Sequence, residues 1–193
     1  MHWRSTWQTP VALVFAAFLC ITAAAQADAQ STETSLSQPK DGSTGPVLHE
    51  PSGSYFEIAR FPRTLGGDRW IAAAAAAVRR TYQGRRGRLA KADSAEIHKF
   101  LIKNFEFSDY TWFGLRYVCP GRVLMWSDGR RHDNGFGVWD RNWTRSGRDF
   151  CVTGGTGERG YMPIAYSPKN TWQAIGPNKF FPYYIVEYPA PKE

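Results

Sequence analysis

The centre of the chain reads Trp112-Phe113-Gly114-Leu115-Arg116-Tyr117 and, after a short break, Val123-Leu124-Met125-Trp126. Aromatic and aliphatic residues dominate both runs and no helical period passes through them, so each run predicts a β-strand. The residues between them include Cys119-Pro120-Gly121, which is typical of a turn. The centre of the chain therefore predicts two strands divided by a turn.

The segment that precedes these strands predicts one further strand and a first helix. Residues 55–60 alternate as a strand does, and Pro62 ends the run. Asp68 is placed to cap a helix, in which six consecutive alanines from Ala72 give a high helix propensity. Gly84 and Gly87 are expected to end this helix. The residues at helical spacing are Trp70, Ile71, Ala74, Ala75, Val78 and Tyr82.

A second helix is predicted to begin at Asp93, because Asp93 and Glu96 form a capping pattern. His98 falls opposite the inner face of that helix and is expected to be a solvated histidine. The chain is then rich in aromatic residues, glycine and loops until residues 183–188, which predict a last strand. The expected inner face of the second helix is Ile97, Phe100, Leu101 and Phe105.

The N-terminal part of the sequence differs from the rest. Arg4 precedes an apolar run over residues 11–21, and small residues suited to cleavage follow, which predicts a signal peptide over residues 1–29. The run is shorter than the roughly 20 apolar residues of a membrane span, and the residues before Cys20 do not suit lipoprotein processing. Residues 30–46 predict a disordered linker, because they contain almost no large apolar residue. Residues 47–193 are the expected single domain.

Cleavage of the leader would remove Cys20 and leave Cys119 and Cys151 in an oxidising compartment. We expect these two cysteines to form one disulfide. In the chain-entropy model, a loop of that length stabilises the fold by about 3 to 4 kcal/mol. Two separate free thiols are the alternative, since sequence alone does not show that their Cα atoms approach within bonding distance.

The composition is that of a basic, soluble globular chain, with 24 Lys and Arg against 17 Asp and Glu and a formal net charge of +7. A positive surface favours anionic partners such as acidic polysaccharide, lipopolysaccharide or teichoic-acid-like polymers. We do not expect nucleic acid as a partner, nor a membrane span in the mature chain. The basic clusters are Arg79-Arg80, Arg85-Arg86-Arg88 and Arg130-Arg131, which are expected on a solvated face.

Catalysis has little support in the sequence. Ser127, Asp128 and His132 lie close together in a polar loop, and Cys119 or Cys151 are conceivable nucleophiles. However, the chain has no nucleophile elbow, no zinc-protease histidine pair and no metal-ligand spacing. The glycine-rich residues 153–160 lack the Gly-Lys-Ser/Thr of a phosphate-binding loop and predict a flexible hairpin loop. We therefore expect a protein without enzymatic activity and without a cofactor.

Several short motifs follow one another in a fixed order over residues 55–188. They are Trp70-x-x-Ala73, Gly87-Arg88-Leu89-Ala90, Ser94-Ala95-Glu96, Trp112-Phe113-Gly114-Leu115, Trp126-Ser127-Asp128-Gly129 with Phe136-x-x-Trp139, Cys151-Val152 and Tyr184-Ile185-Val186-Glu187-Tyr188. These motifs and their order resemble the C-type lectin-like domain family. The resemblance implies an α+β fold with two helices, small and mainly antiparallel sheets and a long loop region. Together with the leader, it implies an exported protein of bacterial type.

The departures from the family pattern bear on function. The family's long disulfide joins the first helix to the last strand, where this chain has Ala77 and Val186, so the resemblance implies a buried apolar contact there. Calcium-dependent members bind sugar through Glu-Pro-Asn in the long loop and Trp-Asn-Asp before the last strands. This chain has Asp-Arg-Asn-Trp-Thr-Arg over residues 140–145 and then Trp172-Gln173-Ala174. Because Ca²⁺ requires 6–8 oxygen ligands, we expect no metal, although Asp149 keeps one carboxylate near a family ligand position.

The resemblance assigns ligand binding to exposed loop groups, because aromatic faces stack on sugar rings and Arg reaches anionic groups. The expected set is Trp143, Arg145, Asp149, Trp172 and Gln173. Burial of both tryptophans in the core is the alternative.

The expected function is a periplasmic or secreted recognition module for carbohydrate, with anionic glycans included, or for a protein ligand, without calcium. A structural or adhesive envelope protein without ligand binding is one alternative. A hydrolase that uses Asp128 or His132 is the other.

Overall fold

The computed structural model describes residues 43–62, 67–141 and 160–191, which all lie in one compact unit, Leu36–Glu193. The described elements are two α-helices, one short 3-10 helix, Glu50–Ser52, and ten strands. In chain order they are β1 (Val47–His49), β2 (Ser54–Arg60), α1 (Trp70–Arg79), β3 (Thr81–Tyr82), β4 (Arg85–Arg86), β5 (Arg88–Leu89), α2 (Ala95–Asn104), β6 (Thr111–Val118), β7 (Val123–Trp126), β8 (Tyr161–Tyr166), β9 (Trp172–Ala174) and β10 (Tyr183–Tyr188).

Eight of the described strands form one sheet in the order β1-β2-β10-β6-β8-β9, with β5 paired to β10 and β7 paired to β6. The pairing is antiparallel except between β10 and β6, which are parallel. The strands β2 and β10 pair over their length, from Tyr183 opposite Arg60 to Tyr188 opposite Tyr55. The fold is therefore α+β with mainly antiparallel strands, and the four longer predicted strands, at residues 55–60, 112–117, 123–126 and 183–188, are confirmed.

The sheet carries an apolar cluster on each face because successive strand residues point to opposite sides. In β10, Val186 packs with Trp70 and Ala77 of α1. Its neighbour Ile185 packs on the other side, in the cluster that contains Leu101 of α2. The indole Nε1 of Trp70 donates to the Phe113 carbonyl over 2.7 Å, which attaches α1 to β6.

Two glycines permit close packing between these elements. The Gly114 N–H donates to the Ala90 carbonyl over 2.8 Å, and a Cβ on Gly114 would lie 2.8 Å from that same oxygen. A Cβ on Gly87 would lie 2.5 Å from the Ala77 carbonyl oxygen and 2.9 Å from Val186 Cγ1. Ala77 and Val186 are both fully buried in one cluster, as expected of an apolar contact at this point.

The first helix differs from its prediction in its phase and its ends. Its N-cap residue is Arg69, and the helix ends at Arg79. Its buried residues are Trp70, Ala73 and Ala77, whereas Ile71 is 44% exposed. The expected apolar face was therefore wrong for Ile71, Ala75 and Val78, whereas Ala74 is half-buried and packs against the core cluster. A run of identical alanines gives every face similar hydrophobicity, so the docking of Trp70 decides which face is buried.

Asp68 and Tyr82 also lie elsewhere than the helix prediction placed them. Asp68 forms an isolated β-bridge with Phe181 and does not cap α1. Tyr82 lies in the β3–β4 hairpin, whose turn residues Gln83 and Gly84 have φ angles of 47° and 73°. Positive φ at both central residues is typical of a tight hairpin turn.

The second helix has the predicted inner face but not the predicted cap. Leu101 and Phe105 are buried, and the Ser94 hydroxyl, not Asp93, accepts the Ile97 N–H over 3.2 Å. His98 is not a solvated residue. Its Nδ1 lies 3.1 Å from the Tyr166 hydroxyl, its ring stacks on Tyr166, and burial lowers its pKa below 6.5.

Two residues at the end of the predicted linker contact the sheet. The Ser43 hydroxyl accepts the Arg60 N–H over 3.1 Å, and the Thr44 hydroxyl accepts the Ile58 N–H over 2.8 Å. Ordered contacts with β2 therefore begin before residue 47. Neither described helix has the length and apolar character that a membrane span requires.

Candidate functional site

Of the five predicted ligand-binding residues, the structure describes Trp172 and Gln173. Trp143, Arg145 and Asp149 lie outside the described residues. Trp172 is 0% exposed. Gln173 is half-buried, and its side-chain oxygen accepts a hydrogen bond from the Tyr110 hydroxyl over 2.8 Å.

Trp172 is a core residue, so its predicted role as a stacking surface for ligand was wrong. Its ring contacts Phe113 at 5.2 Å, Trp139 at 5.3 Å and Phe136 at 5.6 Å between centroids. Its backbone N–H donates to the Val138 carbonyl over 2.8 Å. Trp172 thus anchors the loop around residues 136–139 on β9.

Asp128, which was considered for catalysis, is the centre of a cluster of ion pairs. Its Oδ2 lies 2.9 Å from Arg130 Nε, 3.5 Å from Arg88 and 3.8 Å from Lys91 Nζ. Burial alone would raise the pKa of Asp128, but hydrogen bonds from Arg130 and the charges of Lys91 and Arg130 lower it overall. The carboxylate therefore fastens the Trp126-Ser127-Asp128-Gly129 turn to the segment around Arg88.

His132 has a separate structural role. Its Nε2 donates to the Phe136 carbonyl over 2.7 Å, and its ring stands edge-on to Trp126 at 5.1 Å. Within the described part of the chain no hydrogen bond joins His132 to Asp128 or Ser127. Ser127, Asp128 and His132 therefore do not form a hydrogen-bonded pair of nucleophile and base.

Two arginines of the predicted solvated clusters form ion pairs with nearly buried glutamates. Arg80 pairs with Glu57, which also accepts the Tyr188 hydroxyl over 2.6 Å. Burial alone would lower the pKa of Arg80, but the hydrogen bond and the charge of Glu57 raise it overall. Arg88 binds Glu187 through two nitrogens, over 2.7 and 3.1 Å.

These pairs join residues that are 23 and 99 positions apart in the chain. No local pattern links such partners, so the sequence analysis missed them. The prediction of a fully solvated basic face is wrong for Arg80 and Arg88.

A groove of about 600 Å³ runs along α1 and had no counterpart in the sequence analysis. Its helix side consists of Ala72, Ala75, Ala76 and Arg79, and Tyr184 lies on its sheet side. Arg79 is exposed and forms no ion pair with any residue that the structure describes. The alanine run is the one sequence signal that could have indicated a groove here.

The described residues bear only in part on metal binding and on the predicted disulfide. Over residues 43–62, 67–141 and 160–191 there is no group of three or more His, Cys, Asp or Glu side chains that could hold a metal ion. Cys119 follows β6, and its N–H donates to the Gly160 carbonyl over 2.8 Å. Cys151 is not among the described residues, so its pairing with Cys119 stays a prediction.

Solved structures with this architecture include C-type lectin domains. No protein-family model matches the sequence, and no curated protein matches it.

Three of the solved structures that share the fold have sequence identities of 13 to 16%, so the likeness concerns the fold alone. The C-type carbohydrate-recognition domain of cow CD23, with GlcNAc2Man3 oligosaccharide, has a TM-score of 0.53 at 16% identity and covers 81% of this chain and 98% of its own. The carbohydrate-recognition domain of mouse scavenger receptor C-type lectin has a TM-score of 0.52 at 13% identity. The match covers 72% of this chain and 92% of the mouse domain. CEL-IV has a TM-score of 0.53 at 16% identity, and the match covers 81% of this chain and 97% of CEL-IV. The chain therefore has the C-type lectin fold over nearly the whole length of these domains.

Proposed function

We propose that this protein is an exported, non-enzymatic recognition module that binds carbohydrate, with anionic glycans as the favoured ligands, or a protein. The observation that carries the proposal is the C-type lectin fold, because two of the neighbours described above are carbohydrate-recognition domains. The positions of Asp128 and His132 support the absence of hydrolase activity, since both side chains are held by structural contacts.

The charge of the chain supports an anionic ligand. The formal net charge is +7. Arg85 and Arg86 form hydrogen bonds to the carbonyls of Gly53 and Val78 and have no carboxylate partner among the described residues. Cations without carboxylate partners attract an anionic polymer over distances that salt screens, about 8 Å at physiological ionic strength.

The residues of β9 support binding without calcium. The side-chain oxygen of Gln173 already accepts the Tyr110 hydroxyl, and Ala174 offers no side-chain oxygen. A Ca²⁺ ion needs 6–8 oxygen ligands with compensating charge. Gln173 could instead contribute its amide N–H groups to a ligand that Trp143, Arg145 and Asp149 also contact.

A glycan array tests the proposal, run with and without EDTA and at low and high sodium chloride. We expect binding to acidic glycans that EDTA leaves unchanged and that salt weakens. Binding that EDTA abolishes and calcium restores would contradict the metal-free site. Absence of binding to every glycan, together with no partner from envelope extract, would favour the structural or adhesive alternative.

We also propose that the domain is exported and that its two remaining cysteines are oxidised. A signal peptide over residues 1–29 would deliver the domain to the periplasm or the exterior, where Cys119 and Cys151 would pair. Intact mass of the exported protein tests this, with a mature chain that begins near Asp28 or Gln30. A diacylglycerol-sized addition at Cys20 would contradict it.

A further inference from the structure

The groove along α1 remains open because small side chains line the helix. Ala72 and Ala76 are half-buried and Ala75 is exposed, at helix positions where a longer side chain would fill the space. On the sheet side Phe61 and Tyr184 pack against each other at 4.8 Å. The volume of about 600 Å³ falls within the roughly 300–1,000 Å³ of small-molecule sites.

Cations cluster at the C-terminal end of this groove. Arg79 has no ion pair in the described structure, and Arg80 keeps part of its side chain exposed although it pairs with Glu57. Tyr184, which is 4% exposed, lies close to both. Burial raises its pKa, while the hydrogen bond and charge of Arg80 and the charge of Arg79 act in the opposite direction.

A carboxylate lies at the other end of the groove. Asp68 also lines it, and its Oδ1 accepts the Arg69 N–H over 2.7 Å. The ten residues of α1 separate Asp68 from Arg79 by about 15 Å at the helical rise per residue. Asp68 is therefore too far from Arg79 to neutralise it. Arg60 also lines the groove, so the lining holds three arginines and one carboxylate.

We propose that this groove binds a short acidic oligosaccharide, with a sugar carboxylate at Arg79 and Arg80 and sugar hydroxyls donating to Asp68. Planar guanidinium groups match carboxylate geometry, and the alanine and aromatic side chains offer an apolar wall to the sugar ring. The inference rests on the proposed carbohydrate function but places this ligand on α1 and not on β9.

The features of the groove favour a saccharide over an anionic lipid surface. The groove is concave, whereas a membrane presents many anionic groups over a broad surface. Asp68 would repel a second phosphate but accepts a hydroxyl donor, and an acidic sugar carries both hydroxyls and a carboxylate. Charge complementarity is therefore better for the sugar.

The test uses the purified protein, a short oligouronate and the same oligomer with its carboxyl groups reduced. Ala75→Leu would fill the groove with a side chain that suits a helix, and Arg79→Gln would remove the exposed cation. The matched controls are Ala95→Leu, at an exposed position of α2, and Arg131→Gln, at an exposed position that does not line the groove. Unchanged thermal unfolding shows that each variant is folded.

We expect the oligouronate affinity to fall about tenfold or more in Ala75→Leu and Arg79→Gln and to change by no more than about twofold in the controls. The reduced oligomer should bind weakly to all of them. In the wild type, oligouronate should shift the methyl NMR signals of Ala72, Ala75 and Ala76.

Three results would overturn the inference. Wild-type affinity in both groove variants would exclude the groove but leave carbohydrate binding, and so the proposed function, intact. Failure of the wild type to bind any glycan would overturn both. Binding to vesicles with anionic phospholipid, lost in the same two variants and without oligouronate binding, would assign the groove to lipid.

Discussion

Replacement of Trp172 by alanine should destabilise the domain strongly, because the side chain is fully buried among other rings. Burial of about 200 Å² for a tryptophan at roughly 25 cal/mol per Å² corresponds to about 5 kcal/mol. The alanine side chain keeps part of this burial free energy, and the surrounding rings fill the cavity only in part. We therefore expect the free energy of unfolding to fall by about 3 to 5 kcal/mol. That is a large fraction of the roughly 5–15 kcal/mol that stabilises a typical domain.

Urea denaturation followed by tryptophan fluorescence measures this loss, and thermal unfolding should show a decrease of roughly 2–4 °C per kcal/mol. Trp172→Phe keeps an aromatic ring in the cluster and should cost less than half as much. Phe180→Ala is the matched control, because Phe180 is an aromatic residue with 57% exposure. It should change the free energy of unfolding by less than about 1 kcal/mol.

A specific result would refute the reasoning. Suppose that the free energy of unfolding of Trp172→Ala differed from that of the wild type by less than about 1 kcal/mol, which is roughly the effect of a surface substitution. If this variant also lost glycan binding, Trp172 would be an exposed ligand contact. If Phe180→Ala were as destabilising as Trp172→Ala, burial would not be the cause of either effect.

Gly114→Ala should destabilise the domain by about 1 to 4 kcal/mol, because a Cβ would lie 2.8 Å from the Ala90 carbonyl oxygen. Gly121→Ala is the control and should be near neutral in the same denaturation assay, because a Cβ there makes ordinary contacts of 3.4 Å or more. Equal effects of the two substitutions would contradict the close packing at Gly114. Asp128 has a lowered pKa, so its contribution to stability is present above the ordinary value of 3.8 and is lost as pH falls through the folded-state value. The stability difference between wild type and Asp128→Asn should therefore shrink below about pH 4, and a pH-independent difference would count against the ion pairs. Reduction of Cys119–Cys151 should cost about 3 to 4 kcal/mol, and peptide mapping that finds two freely alkylated thiols would overturn the pairing.

The strands were predicted more accurately from the sequence than the buried face of α1 was. The runs at β6 and β10 are mostly aromatic and aliphatic, so both faces of each strand carry apolar side chains. The six alanines of α1 give no such contrast between faces. The packing of α1 on β5, β6 and β10, which includes the hydrogen bond from Trp70 to Phe113, buries Ala73 and Ala77 and leaves Ile71 exposed.

The candidate site was predictable in its chemistry but not in its placement. The positive charge and the presence of Gln173 and Ala174, in place of Asn and Asp, directly after Trp172 follow from the sequence. The local sequence gives no sign that Trp172 is buried, because burial depends on Phe113, Phe136 and Trp139, which the fold brings together from other segments.

The sequence by itself determined the composition, the basic charge, the main strands and the order of motifs that resembles C-type lectin-like domains. These properties depend on residue type and short-range periodicity. Only the tertiary structure decided that Arg80 and Arg88 pair with Glu57 and Glu187, and that Arg79 lines a groove without an ion pair to any described residue. The physical reason is that burial and ion pairing depend on distances in space, and the pairing of β2 with β10 places distant parts of the chain within those distances.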